Sequence, residues 1–380
     1  MHIVIADPSV IYESDGLCYL PERSYLGYLE YKKYISTLFP DARYSVASLY
    51  GVTELPESKT LDNLMKFMPS DINLERLSAY NFLENLGETA VVMSLLKPES
   101  YSLTNLNHRV VYLVEFTPSI RRGIQLAGPG VSFPNRLRIE LGLLRQYVAE
   151  IKAIKKAAGV QFNGPAAAAK YSKFNSNSIT FFDHRVSEVP EKNTNAGGRI
   201  GEFSVAFSGR LSAMKGAKYL AEISNKLYQL NPSIKFYVMG DGEERENVLR
   251  NSAPNLVYKG FMEYKDSWEP FVRENVDLMI FPHPQGDPSM TYYESLGQGV
   301  PILAFSNETS DYLAAQGLGW TVPSGDTQQL VEKIAQLADD LEDVVDKSRE
   351  SIKFMSNILY DQTVARRMNQ LIDTAQKANI

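Results

Sequence analysis

Two cations follow a glycine in the segment SGRLSAMKG, residues 208–216. Arg210 and Lys215 come after an apolar run and before a run with helical spacing, so they lie at the end of a predicted strand. A guanidinium offers a planar fork and an ammonium a compact charge, and both bind phosphate oxygens. The pair beside Gly209 therefore predicts a diphosphate site. A solvated loop with two surface charges is the alternative, and spacing alone does not decide between them.

A glutamate lies about one turn inside another predicted helix, in FPHPQGDPSMTYYESLGQGVP, residues 281–301. The helix is expected to begin near Ser289 to Thr291, and a helix N-terminus exposes N–H groups that favour phosphate. Glu294 could then accept hydrogen bonds from vicinal hydroxyls, as on a ribose. A charge that merely favours a helix start is the alternative. The apolar runs on both sides indicate a well-packed helix and count against that alternative.

The elements that must position these residues form two runs of alternating strands and helices. The strands of the second run are FSVAFSG, IKFYVMG, NLVYKG, VDLMIFP and PILAF. Gly240-Asp241-Gly242 follows the second of them and is interpreted as a plain strand-to-helix turn. The alternation predicts an α/β fold with two Rossmann-like, doubly wound domains facing a cleft. Ligands of such sheets bind outside the carboxyl ends of the strands.

The chain length and a change in composition predict the domain boundaries. A chain of 380 residues is too long for one ordinary core. The polar run 185–202, with Pro, Asn and Gly, is interpreted as a linker. It separates an N-terminal domain, 1–184, from a C-terminal domain, 203–355, that carries the motifs above, and 356–380 forms a last helical segment.

Four motifs in succession resemble a known family. SGRLSAMKG, GDGEE, KGFMEYKD and DPSMTYYESLGQGVPILAF are similar, in order and spacing, to the nucleotide-binding half of retaining glycosyltransferase family 4, which has the GT-B fold. The resemblance covers roughly residues 200 to 330. The segment FMSNILYDQTVARRMNQLI also resembles the last helix of that family, which packs back on the N-terminal domain. The N-terminal half is similar only in its order of strands and helices.

The resemblance implies a role for each motif. Arg210 and Lys215 would stabilise the donor's diphosphate as leaving group, and Glu294 would bind the donor ribose. The remaining donor-binding residues implied in this way are Gly209, then Ser289, Met290 and Thr291 through backbone N–H groups, and Gly260, Phe261 and Met262 along the base.

The chain departs from the family pattern at one place. The family has two glutamates separated by seven residues, and the first faces the transferred sugar. Counting back from Glu294, that place holds Gly286, and Asp287 is its neighbour. We expect Asp287 to replace the first glutamate and contact the sugar, because Pro288 keeps its backbone extended. A helix-capping role for Asp287 is the alternative.

The N-terminal domain offers fewer candidates, all for the acceptor side. The family often has a Gly-rich loop after its first strand, whereas this chain has only Gly16 there. Glu115 ends a predicted strand close to where the family often carries a histidine, and it could orient an acceptor hydroxyl. An ordinary charge at a strand end is the alternative for Glu115.

A local excess of cations stands out in an otherwise acidic protein. It predicts contact with an anionic membrane surface or a lipid-diphosphate acceptor, and a solvated helix face is the alternative. The segment runs from Arg109 to Lys173 and contains three carboxylates, Glu115, Glu140 and Glu150. The cations include Arg121, Arg122, Arg136, Arg138, Arg145, Lys152, Lys155 and Lys156.

Composition bounds the remaining expectations. A formal net charge of −6 argues against general nucleic-acid binding. A lone Cys18 suits a reducing compartment, and neither a signal peptide nor a membrane-spanning run is recognised, so a cytoplasmic protein, peripheral at the inner face of the membrane, is expected. The four histidines are scattered without metal-ligand spacing. No cofactor or metal is expected, since cations and a helix end can stabilise the leaving diphosphate.

Together these features predict a retaining glycosyltransferase of the hexosyltransferase type. It would move a sugar from a nucleotide diphosphate sugar to a glycan or lipid-linked acceptor in cell-surface polysaccharide or glycoconjugate synthesis. A nucleotide-sugar epimerase or hydrolase of the same fold is one alternative. A non-catalytic partner subunit is another, favoured by the missing glutamate and opposed by Arg210, Lys215 and Glu294. The base, sugar, acceptor and linkage stay open.

Overall fold

The computed structural model describes residues 1–56, 64–126, 132–192 and 203–376. The chain divides into two compact units. The first comprises Met1–Glu115, Gly142–Phe181 and Asp361–Ile380, and the second comprises Phe116–Leu141 and Phe182–Tyr360. Residues 193–202 of the predicted linker and 377–380 of the predicted last segment lie outside the described residues, and 185–192 form neither helix nor strand.

The strands follow the predicted apolar runs, with several additions. They are β1 His2–Asp7, β2 Ile11–Ser14, β3 Leu17–Pro21, β4 Arg43–Ser48, β5 Val52–Glu54, β6 Leu64–Phe67, β7 Leu74–Glu75, β8 Val91–Leu95, β9 Arg109–Val114, β10 Gly159–Asn163, β11 Ser178–Phe181, β12 Ser204–Ser208, β13 Lys235–Met239, β14 Leu256–Gly260, β15 Leu278–Phe281, β16 Ile302–Phe305 and β17 Gly319–Val322.

The helices connect these strands. They are α1 Glu22–Leu38, α2 Ala79–Glu84, α3 Pro118–Leu126, α4 Phe133–Lys156, α5 Pro165–Tyr171, α6 Leu220–Leu230, α7 Arg245–Asn251, α8 Glu269–Asn275, α9 Met290–Gly297, α10 Glu308–Ala315, α11 Thr327–Asp339, α12 Leu341–Ser356 and α13 Tyr360–Gln376. None of those helices combines the length and apolar character that crossing a membrane requires.

The first unit is built on a seven-stranded parallel sheet in the order β11-β10-β9-β8-β1-β4-β7. Strand β1 is buried along its whole length. Such strands read as continuous apolar runs because helices cover both faces of a parallel sheet. The strand order reverses between β1 and β8, so this sheet is doubly wound, as predicted.

A small four-stranded sheet follows β1, where the sequence pattern indicates no strands. Its order is β5-β2-β3-β6, and β2 pairs with β3 in antiparallel fashion. The turn between them is Asp15-Gly16, with positive φ values of 53° and 76°. Asp-Gly is a preferred sequence for such two-residue turns. The signal was in the sequence, but the flanking strands are short and alternate weakly.

The second unit is built on a six-stranded parallel sheet in the order β14-β13-β12-β15-β16-β17. Alternate side chains point to opposite faces, so Val205 and Phe207 join one buried cluster and Ala206 the other. Burying such a large apolar side chain stabilises the fold by about 1.5–3 kcal/mol. The predicted doubly wound α/β class is confirmed for both sheets.

Two details of the second unit differ from the sequence pattern. Strand β17 and helix α10 were not predicted, because GWTV is short and the α10 segment is only eight residues long. The residues that follow form two helices, α11 and α12. The chain is not helical between them at Asp340, whose φ is −121° and ψ is 75°.

Helix α13 packs in the first unit through a buried guanidinium. The Nε of Arg367 donates to Oε1 of Gln161 on β10 at 2.9 Å, and Nε2 of Gln161 donates to the Arg367 carbonyl at 3.0 Å. The guanidinium also lies 4.1 Å from the centre of the Phe181 ring. Arg109 donates to the Thr374 carbonyl at 2.6 Å. Reciprocal bonds of this kind fix the helix to the sheet.

Candidate functional site

The predicted motifs of the second unit meet where its strand order reverses. From β12 the chain winds through β13 and β14 on one side, and it then returns to form β15 on the other side of β12. Parallel sheets of this type bind ligands outside the carboxyl ends of the two strands that flank such a reversal. The loops after β12 and β15 carry Arg210, Lys215 and Asp287, so topology alone places these residues at one edge.

Backbone contact holds the two loops together at Gly216. A Cβ atom at this position would lie 1.8 Å from the carbonyl oxygen of Pro282, which follows β15. The φ of Gly216 is 72°, a conformation that residues with a side chain rarely adopt. Only glycine allows the loop after β12 to approach β15 this closely, and that approach sets the place of Lys215.

Lys215 and Asp287 form an ion pair across the two loops. The Lys215 Nζ lies 2.5 Å from Oδ2 of Asp287, and the two side chains are 14% and 8% exposed. The Nε2 of Gln285 donates to the other oxygen of Asp287 at 3.1 Å. Burial alone would raise the pKa of Asp287, but His283 and Lys215 outweigh it and hold that pKa well below its ordinary range. The carboxylate is therefore ionised and fixes Lys215.

His283 lies behind this ion pair in the buried interior. Its Nδ1 is 3.6 Å from Oδ1 of Asp287 and 3.5 Å from the Tyr292 hydroxyl. Burial, helped by the charge of Lys215, lowers the pKa of His283, so the ring is neutral. A neutral ring leaves Lys215 as the cation that balances Asp287.

Arg210 differs from Lys215 in having no fixed partner. Its side chain is exposed one residue beyond Gly209, and it makes no hydrogen bond or ion pair with any residue in the described ranges. Gly209 itself is tied to the neighbouring strand, since its N–H donates to the Met239 carbonyl at 3.0 Å. An exposed cation thus follows a strand end that is hydrogen-bonded to its neighbour.

Helix α9 begins at Met290, close to its predicted start. Ser289 is the N-cap residue and makes no side-chain capping bond, while the Ser289 N–H donates to the Asp287 carbonyl at 2.8 Å. The first N–H groups of any helix lack partners within that helix. Those of Met290 and Thr291 are therefore available to an anion. The Asp287 carboxylate accepts from Lys215 and Gln285 and does not cap α9.

Glu294 is buried on α9 and is ion-paired to a residue that sequence reasoning missed. Its Oε1 accepts from Nε of Arg185 at 2.7 Å, and the Glu294 side chain is 4% exposed whereas that of Arg185 is 50% exposed. The guanidinium stacks 3.9 Å from the centre of the Tyr264 ring. Arg185 stands in the polar run read as a linker, where no local pattern marks a binding residue.

The end of β14 presents an exposed aromatic side chain. Gly260 accepts a hydrogen bond from Gly240 N–H at 2.8 Å, which joins the ends of β13 and β14. Phe261 follows and is 82% exposed, and Met262 is partly buried. An exposed ring beside fixed strand ends suits stacking on a planar group.

A further carboxylate, Glu308, lies beside the loop after β15 and was not singled out from the sequence. A Cβ atom built on Gly286 would be 2.7 Å from Oε2 of Glu308. The Thr309 hydroxyl donates to the Gly286 carbonyl at 2.8 Å, so the start of α10 is bonded to this loop. The glycine in place of the expected glutamate thus has a carboxylate directly beside it.

The two acceptor-side candidates lie in the first unit. Gly16 occupies the exposed turn between β2 and β3, and Glu115 directly follows β9 and is partly buried. Their proposed roles stay predictions. Within the described ranges, no group of three His, Cys, Asp or Glu side chains has the arrangement of a metal site.

The fold of the two units occurs in solved structures of other proteins. Two doubly wound α/β units match the GT-B structures of glycosyltransferases over nearly the whole chain. HepE of Anabaena aligns with 98% of this chain and 100% of its own, at 16% identity and a TM-score of 0.63. Sucrose-phosphate synthase of Thermosynechococcus elongatus aligns over 99% of both chains, at 13% identity and a TM-score of 0.64. These likenesses establish the GT-B fold.

The motif-bearing unit also matches a sequence family. Residues 202–340 match the family model of Glycosyl transferases group 1, as the resemblance of the motifs predicts. A lipopolysaccharide core biosynthesis glycosyltransferase, LpsE of Rhizobium meliloti (strain 1021), is 29% identical over 136 residues, which are 35% of this chain. The match spans 38% of that relative's length.

Proposed function

We propose that this protein is a retaining glycosyltransferase of the hexosyltransferase type that uses a nucleotide diphosphate sugar as donor. The observation that carries the proposal is the meeting of Lys215 and Asp287 at the strand-order reversal, beside exposed Arg210 and the free N–H groups at the start of α9. Cations and N–H groups at one edge of a sheet are what a diphosphate requires. The family match covers the same residues.

The reaction would depend on charge stabilisation of the leaving nucleoside diphosphate. Lys215 is held in place by Asp287 and needs no reordering when the donor binds. Arg210 would close on the phosphates, because its side chain has no competing partner among the described residues. Preorganised donors of this kind typically accelerate a reaction by about a hundredfold or more each. The chain's own cations supply this charge, so we propose no metal or cofactor.

The nucleoside would lie against Glu294 and the end of β14. Glu294, whose Oε1 accepts from Arg185, is our candidate acceptor for the ribose hydroxyls. Phe261 would cover the base. The ion pair with Arg185 holds Glu294 in place, while the guanidinium stacks on the Tyr264 ring.

Two relatives support the donor class and the setting. Solved structures of HepE hold UDP and UDP-glucose, and LpsE is a lipopolysaccharide core biosynthesis enzyme. We therefore propose a glycan or lipid-linked acceptor and a role in cell-surface polysaccharide or glycoconjugate synthesis. Gly16 and Glu115 stay our acceptor-side candidates. A cytoplasmic enzyme attached peripherally to the membrane would fit such an acceptor.

The first test is donor binding followed by transfer. UDP, GDP, ADP and TDP sugars are compared by thermal shift, and the preferred donor should add about 2.7 kcal/mol to the unfolding free energy at a hundred times its Kd. NMR of the product with an acceptor sugar then reports the configuration of the new bond. If none of these nucleotide sugars stabilises the protein, the proposal is wrong. Release of free sugar without transfer would indicate a hydrolase. Conversion of the nucleotide sugar to its epimer would indicate an epimerase. Binding of the nucleotide sugar without turnover would indicate a non-catalytic partner subunit.

A further inference from the structure

Helix α4 carries an exposed apolar stripe from its first residue, Phe133, to Val148. Its members recur every three or four residues, so they share one face of the helix. They are Phe133, Leu137, Leu141, Leu144 and Val148, with exposed fractions of 81%, 54%, 50%, 60% and 46%. Single exposed apolar residues are ordinary, whereas a continuous stripe marks a surface for a partner or a membrane.

A row of cations borders this stripe along the same helix. Arg138, Arg145, Lys152 and Lys156 are all exposed, and spacings of seven, seven and four residues put them on one side of the apolar face. The carboxylate nearest the stripe on α4, Glu140, is paired with Arg122. The other carboxylate of the helix, Glu150, is buried and accepts from Tyr171 at 2.6 Å. The exposed border is therefore positive.

We propose that α4 lies in the surface of an anionic membrane, with the stripe in the acyl boundary and the cations at the headgroups. An apolar face flanked by Lys and Arg is the composition that interfacial helices share. Charge selects this occupant over an apolar protein groove, because the row of cations favours anionic lipid headgroups. The inference does not depend on the proposed glycosyl transfer.

The test sediments the full chain with sucrose-loaded vesicles. Wild type should bind vesicles of phosphatidylcholine and phosphatidylglycerol more than vesicles of phosphatidylcholine alone, and salt should weaken the difference. Leu137→Ser/Leu144→Ser should abolish binding. Arg138→Gln/Arg145→Gln/Lys152→Gln should lower partitioning about fivefold for each cation removed. The matched control is Leu38→Ser/Leu230→Ser, which changes two leucines of similar exposure elsewhere and should bind as wild type.

Three results would overturn the proposal. Equal binding of wild type to neutral and anionic vesicles at every salt concentration would exclude charge recognition. Stripe variants that bind as wild type would place the contact elsewhere. A dimer in solution that Leu137→Ser/Leu144→Ser dissociates would make a second copy of the chain the occupant.

A separate observation concerns Glu308. Asn307 fixes the first turn of α10, since its side-chain oxygen accepts from the N–H groups of Thr309 and Ser310 at 3.0 Å each. Glu308 is the first residue of that helix and is exposed, and its side chain has no hydrogen bond or ion pair with the residues that the structure describes. Its carboxylate fills the space that a side chain on Gly286 would enter.

We infer that Glu308 contacts the transferred sugar, an inference that rests on the proposed function. An unpartnered carboxylate can accept hydrogen bonds from sugar hydroxyls. The Glu308 carboxylate lies beside Gly286 in the loop after β15, and Asp287 of the same loop is ion-paired with Lys215. The sequence-based hypothesis gives this role to Asp287, whose oxygens are bonded to Lys215 and Gln285. Gly286 and Glu308 then act as a matched pair, since either position, but not both, can hold the carboxylate.

The test compares Glu308→Gln with Asp311→Asn, another exposed carboxylate in the first turn of α10. Glu308→Gln should lower kcat/KM for transfer about tenfold to a hundredfold, as for loss of a hydrogen bond to a charged group. Its affinity for the nucleoside diphosphate should stay within twofold of wild type, roughly the scatter expected of a surface change. Asp311→Asn should match wild type in both. Gly286→Glu/Glu308→Ala should recover transfer that Glu308→Ala loses.

The outcomes separate the two levels of inference. If wild type binds and transfers a donor sugar but Glu308→Gln transfers equally well, Glu308 has no sugar contact. Equal loss in Glu308→Gln and Asp311→Asn would mean that each only favours the helix start. If wild type binds no nucleotide sugar, the proposed function itself fails.

Discussion

The two parallel sheets wind in the same way but differ in what they place at the reversal of strand order. In the first unit, the reversal lies between β1 and β8, and Asp7 ends β1. Its oxygens accept from the Ser9 N–H at 2.7 Å and from the Tyr28 hydroxyl at 2.6 Å. In the second unit, the reversal brings Lys215 to Asp287 and leaves Arg210 exposed. The strand order of a sheet therefore determines where a ligand site can form. The charged side chains at that place determine whether the site can bind a diphosphate.

The largest expected effect comes from removing the cation at the second reversal. Lys215→Met should lower transfer at least about a hundredfold. It should also cost about 3 kcal/mol of unfolding free energy, because Asp287 would stay buried without its partner. Turnover assays and urea denaturation measure the two effects.

A double variant separates the two effects of Lys215. Lys215→Met/Asp287→Leu removes both charges and should recover most of the stability but not the rate. At the first reversal, Asp7→Asn should change stability by about 1 kcal/mol and leave donor affinity unchanged. Near wild-type transfer in the double variant would show that the second reversal is no more than a structural ion pair.

The next effect concerns the exposed cation. Arg210→Ala should lower transfer about a hundredfold while the melting temperature stays constant, because the side chain contacts none of the described residues. Lys218→Ala is the matched control, as an exposed cation on the same connection. Equal rates in the two variants would assign the diphosphate to other groups.

A smaller loss is expected at the nucleoside end of the site. Glu294→Gln should raise the Kd of the nucleoside diphosphate about tenfold to a hundredfold, because a charged acceptor for the ribose is lost. Glutamine can still accept from Arg185, so the fold should persist. Isothermal calorimetry with the free diphosphate gives the value. An unchanged Kd would restrict Glu294 to its bond with Arg185.

The smallest effect is a pH dependence of stability in the second unit. His184 is buried, its Nε2 donates to the Ile358 carbonyl at 2.8 Å, and burial lowers its pKa to about 4 although that carbonyl raises it. The folded ring is neutral where the unfolded ring takes up a proton, so stability falls as the pH drops from 6.5 towards 4. The loss should approach about 1.4 kcal/mol for each pH unit.

Urea denaturation between about pH 7 and pH 4.5 measures this loss of stability, because the range lies mostly between the unfolded and folded pKa values of His184. His184→Asn should unfold at lower urea throughout and show a shallower decline. Lowered pKa values of His283 and Asp287 act in the same direction, Asp287 at lower pH. A variant that keeps the full wild-type slope would assign the pH dependence to these other groups.

The fold was predictable from the sequence where signals are local and strong. Long apolar runs predicted the parallel strands, and the motifs around Lys215 and Glu294 predicted the edge of the sheet that bears the charges. The β2–β3 hairpin and β17 were missed because their strands are short. These elements depend on pairing with distant residues that no local pattern encodes.

The site was predictable in its residues but not in its partners. Spacing located Arg210, Lys215 and Glu294, yet it could not show that Lys215 is bonded to Asp287 or that Arg185 reaches Glu294 from 109 positions away. Glu308 was not predicted, because its contact with the loop after β15 depends on Gly286 having no side chain. The sequence does not show that these two residues are neighbours in space. Contacts between loops of different strands arise only from the topology.

The placement of α13 has a consequence for how the protein is made. The first unit takes its strands from the early part of the chain and its buried Arg367 from residues translated after the whole second unit. During synthesis, Gln161 on β10 lacks its partner Arg367 until α13 has been made. All residues of the second unit have been translated by then. The first unit can therefore pack around Arg367 only after α13 has left the ribosome.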